Sequence, residues 1–72
     1  MNARTWLQRY AEKLGTEPPT AEEFRVLLDL AGVAAHASER VAAPVACWLT
    51  AKAGTDVQTA MRLAQEVGSE DG

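Results

Sequence analysis

The chain has 72 residues, a net charge of −3 and one cysteine, Cys47. That length supports a single domain with a thin core. An intrachain disulfide is excluded, one Cys and one His fall short of a zinc site, and seven basic residues scattered among ten acids do not make a nucleic-acid face.

A lone cysteine fits a reducing compartment, so a cytoplasmic location is expected. No signal peptide is expected, because Arg4, Arg9, Glu12 and Lys13 interrupt any apolar stretch near the start. The uncharged run from Val41 to Ala51 is too short to cross a bilayer, and no membrane association is expected.

Four helices are predicted, and no strand pattern occurs. The first spans Ala3 to Leu14, where Trp6, Leu7, Tyr10, Ala11 and Leu14 recur at steps that give one apolar stripe. Gly15 supplies a C-cap, and Pro18-Pro19 prevents the helix from continuing. The second spans Thr20 to Glu39 or Arg40. Thr20 and Glu23 form a capping box, and Phe24, Leu27, Leu28, Ala31, Ala34 and Ala35 form the core face.

Pro44 suits the first turn of the third helix, predicted over Pro44 to Ala53 and capped by Gly54. Val45, Ala46, Cys47, Trp48 and Leu49 make it apolar around most of its circumference, more than a small bundle can cover. An apolar cluster around Val45, Trp48 or Leu49 left at the surface would mark a protein-contact site. Thr55 and Gln58 read as a second capping box, opening a fourth helix over Asp56 to Val67. Val57, Ala60, Met61, Ala64 and Val67 line its buried side. The reading is an all-α, compact four-helix domain over 1–67 with a flexible polar tail over 68–72.

Asp29 and His36 lie seven apart on the second helix, nearly in line, with Arg25 and Arg40 one turn beyond each. Three readings stay open for this stripe. It is a solvated face with weak i,i+4 pairs such as Arg25 with Asp29. Alternatively, Gly32 admits a second helix closely and Asp29 or His36 bonds to it. In the third reading the stripe contacts a partner or ligand. The candidate contact residues are Asp29, His36, Arg40 and Trp48. No catalytic, cofactor-binding or metal residue is assigned: Ser38 projects away from the stripe, Cys47 reads as a buried inert thiol, and Gly15, Gly32 and Gly54 are isolated. Enzyme activity is therefore not expected.

Together with the N-terminal WLQRYAEKLG, the segment LLDLAGVAAHASERVAAPVACWL resembles a small helical domain of actinobacteria. That domain occurs alone, and also next to or fused to molybdopterin-guanine dinucleotide biosynthesis proteins of the molybdenum cofactor guanylyltransferase type. The resemblance rests on Trp6-Leu7, Leu28-Asp29-Leu30-Ala31, Ala35-His36, Arg40, Ala43-Pro44, Leu49 and Gly54, and extends to about Val67. Cys47-Trp48 stands where small or other apolar residues would also fit. The guanylyltransferase domain and its Gly-rich nucleotide loop are absent, so no nucleotide chemistry carries over. The resemblance implies a non-catalytic accessory module, partnered by a molybdoenzyme or a molybdenum cofactor biosynthesis protein. The alternatives are a self-associating structural domain, hence a homo-oligomer, and a binder of a small anionic ligand through Asp29, His36 and Arg40.

Overall fold

A computed structural model describes residues 1–70. Four helices follow one another: α1 (Ala3–Leu14), α2 (Ala21–Ala37), α3 (Ala42–Ala53) and α4 (Val57–Glu70). Among the described residues there is no strand, and the chain is an all-α four-helix domain as its periodicity predicts.

Local chemistry sets the helix ends. Asn2 caps α1 by accepting the Thr5 N–H at 2.9 Å. Gly15 ends it in the left-handed region, φ 79°, where a glycine meets no Cβ penalty. At the start of α2 the Glu23 N–H donates to the Thr20 hydroxyl at 3.1 Å, and the Thr20 N–H donates to the Glu23 carboxylate at 2.8 Å. This is the predicted capping box.

Four boundaries differ from the sequence reading. α2 stops at Ala37: the Ser38 N–H makes the last helical bond, to the Ala34 carbonyl that also accepts the Ser38 hydroxyl, and the Ser38 backbone then leaves the helical region at φ −137°, ψ −100°. Arg40 therefore sits in a turn and not on the helix. α3 begins at Ala42, since the turn carbonyls of Glu39 and Arg40 already accept the Ala42 and Ala43 N–H groups. Pro44 still falls in the first turn. α4 is capped by Asp56 and not by Thr55: its carboxylate accepts the Thr59 N–H at 2.9 Å and the Thr59 hydroxyl at 3.0 Å. α4 also continues through Gly68 to Glu70, so the expected polar tail is helical that far. Asp71 and Gly72, the rest of that tail, lie outside the described residues.

α2 is the spine of the domain. α3 and α4 each pack along it, while α1 meets the other helices sparingly. The core is correspondingly small. Leu30 on α2 is 2% exposed, and only Ala11 and Ala60 join it as fully buried apolar residues among those described. Leu30 was absent from the predicted core face, whereas Leu28, placed there, is exposed. The reason is geometric. Two helices lean on α2, so its buried arc is shifted toward Val26, Leu30 and Val33, away from Leu28. Val67, predicted to be buried on α4, is 60% exposed.

Candidate functional site

The polar stripe is a solvated face. Asp29 and His36 are exposed on α2, and Arg40 is exposed in the turn after it. None of the three takes part in a side-chain hydrogen bond or ion pair among the described residues, where the one ion pair is Arg62 with Glu66 at 3.1 Å. The expected Arg25–Asp29 pair is not formed. An ideal Cβ built on Gly32 meets nothing within 4 Å, so no second helix approaches there. The structure does not gather Asp29, His36 and Arg40 around a shared recess.

Trp48 is where the structure adds meaning. It is 58% exposed, on the side of α3 turned away from α2. Val45 and Val41 are exposed one and two turns before it, at helical spacing, so they share its face. The Lys52 ammonium, one turn on, lies 4.8 Å from the Trp48 ring centroid. That cation–π contact holds the indole along the helix surface. Ala42, Ala43, Ala46, Cys47 and Thr50 are the half-buried residues of α3. They sit on its inner side, and the small ones let it lie close to α2.

Cys47 is half-buried and not sealed in the core. Its thiol lies 4.0 Å from the Leu27 carbonyl, to which it can donate, and burial pushes its pKa above the ordinary 9.0. A thiol held protonated is a poor nucleophile.

The sequence matches the domain of unknown function DUF6457 over residues 1–71. The chain belongs to that family. No curated protein and no solved structure matches it.

A second feature escaped the sequence reading. α3 and α4 both rest on α2 but scarcely meet one another, and an open groove of about 470 Å³ runs between them. Leu30 and Ala34 form its floor, Leu49 one wall, and Leu63 and Val67 the other. Its only polar side chains are Ser38 and Thr50. Both hydroxyls are turned back onto their own helices, donating to the Ala34 carbonyl at 2.8 Å and the Ala46 carbonyl at 2.9 Å. The groove thus offers an apolar lining with no charge. Leu49 and Val67 carry an apolar signal in the sequence and Leu63 stands outside the predicted stripe, but nothing local indicates that they stand around a gap. No helix among the described residues is long and apolar enough to cross a membrane.

Proposed function

We propose that this chain is a non-catalytic helical module that binds a protein partner through the outward face of α3. The carrying observation is the exposed Val41–Val45–Trp48 stripe, with Lys52 laid over the indole. An exposed tryptophan within an apolar stripe has the composition of an interface hot spot. By the family resemblance of Trp6-Leu7, Leu28–Ala31 and Ala43-Pro44, the partner is a molybdenum cofactor biosynthesis protein or a molybdoenzyme, met in the cytoplasm. In this reading Arg40, in the turn leading to Val41, lies at the edge of the contact, and Asp29 and His36 do not belong to it.

The test is binding of the chain to purified molybdenum cofactor guanylyltransferase and molybdoenzyme subunits, with Trp48→Ala as the probe. Trp48→Ala should weaken capture at least tenfold while helicity and melting temperature hold, because the indole is already in solvent. Capture equal for Trp48→Ala and the parent would remove α3 as the contact. Binding to none of these proteins would remove the molybdenum assignment.

A further inference from the structure

We infer that the groove between α3 and α4 is filled by α1 of a second copy of this chain, making a symmetric dimer. The proposal concerns a different surface from the outward face of α3, so the two stand or fall separately.

α1 has the matching ridge. At about 100° per residue, its apolar stripe is wide enough to serve two neighbours. The Leu7–Ala11 edge is used within the chain: Ala11 is buried, and half-buried Leu7 lines a small recess with Pro18, Pro19 and Phe24, with the Arg4 guanidinium 5.0 Å from the Phe24 ring centroid. The other edge is unused. Trp6 is 54% exposed, and Tyr10 and Leu14 are also in solvent, at successive i,i+4 steps. The Trp6 and Tyr10 rings pack on each other with centroids 5.1 Å apart, forming a preassembled aromatic ridge. The groove is the place in a four-helix bundle that a fourth helix would fill, and α1 does not fill it within its own chain. The Pro18-Pro19 connection is stiff and holds α1 by its other edge.

Area favours a second copy as the occupant, and charge permits it. The chain exposes 5614 Å², roughly 1,300 Å² more than a folded monomer of its mass, 7.7 kDa, is expected to show. A standard interface needs about 800 Å² from each partner. Residues 1–15 carry three cations and one acid, a net +2, whereas residues 16–72 carry four cations and nine acids, a net −5. Arg9 and Lys13 flank Trp6 and Tyr10, while Glu39 follows the groove residue Ser38. Beside the groove Arg40 follows Glu39, and Arg62 pairs with Glu66, so its rim carries no excess cation to repel Arg9 and Lys13. Because every chain has both ridge and groove, a twofold arrangement satisfies each copy at once.

The test is sedimentation equilibrium of the full chain, together with a designed cross-link. The parent should sediment at twice the chain mass. Trp6→Ala/Tyr10→Ala on the ridge and Val67→Glu in the groove should each raise the dissociation constant at least tenfold. In a Cys47→Ser background, a Tyr10→Cys chain mixed with a Val67→Cys chain should give a disulfide-linked pair on mild oxidation, a result that does not depend on the alanine variants folding. A parent that stays monomeric at every concentration overturns the proposal. So does a dimer indifferent to both sets of substitutions, or a Tyr10→Cys/Val67→Cys double variant that closes within one chain.

Discussion

Asp56 holds Thr59 twice, through its backbone N–H at 2.9 Å and its hydroxyl at 3.0 Å. The backbone hydrogen bond first, and the hydroxyl second, lower the Asp56 pKa below its ordinary 3.8. A carboxyl depressed in the folded state stabilises fully above its unfolded pKa, and that contribution disappears as pH falls through the folded value. The start of α4 should therefore loosen only under strongly acid conditions, below about pH 4. Asp56→Asn keeps a capping oxygen but cannot titrate. Acid titrations followed by circular dichroism should show this component in the parent and not in the variant.

Gly15 and Gly32 should respond to alanine in opposite directions. Gly32 lies in mid-helix with open space where a Cβ would go, so Gly32→Ala should stabilise by about 1 kcal/mol through helix propensity. Gly15 also has open space, but its φ of 79° strains any L side chain. Gly15→Ala should cost about 1–2 kcal/mol. Urea melts of the two variants check both signs, and a destabilising Gly32→Ala would show a close neighbour there after all.

Leu30 and Leu28 are two residues apart with opposite environments. Leu30→Ala removes the most buried side chain of a small core and should cost about 2–5 kcal/mol. Leu28→Ala removes an exposed one and should stay within about 0.5 kcal/mol. Chemical denaturation of both variants measures the contrast.

Asp29→Ala, His36→Ala and Arg40→Ala should each leave stability within about 0.5 kcal/mol, as for other surface substitutions, because none of the three has a partner among the described residues. A loss of 1 kcal/mol or more on removing Asp29 or His36, above the roughly 0.5 kcal/mol of a surface change, would restore a structural role. Partner capture by Arg40→Ala, measured beside Trp48→Ala, shows whether the turn lies inside the α3 contact.

Cys47 should react slowly with an exposed-thiol reagent at neutral pH, since burial raises its pKa. Being half-buried, it should react measurably, and the rate should climb with pH through a midpoint above 9.0. A native rate equal to that of the urea-unfolded chain would contradict this.

The helices were legible in the sequence because their signals are local. Thr20 and Glu23, the two C-cap glycines and Pro44 act within one turn, so α1 begins and ends as predicted and the others shift by two or three residues. The shifts have local causes as well, in Asp56 outcompeting Thr55 as a cap and in the Ser38 backbone leaving the helical region. Periodicity also marked which side of each helix is apolar. It did not reveal which part of each apolar side meets another helix. The stripe of α1 reads as one surface, yet Leu7 is half-buried beside a recess it shares with Phe24 while Trp6 stays in solvent. The uncharged circumference of α3 could not say that Ala46 turns inward and Trp48 outward. Those outcomes depend on α3 and α4 settling on α2 without closing on each other, a balance among contacts distant in sequence. Local chemistry determines where the helices form. The packing around α2 alone decided that Leu30 would be buried, that a groove would open beside it, and that the α1 ridge and Trp48 would remain exposed.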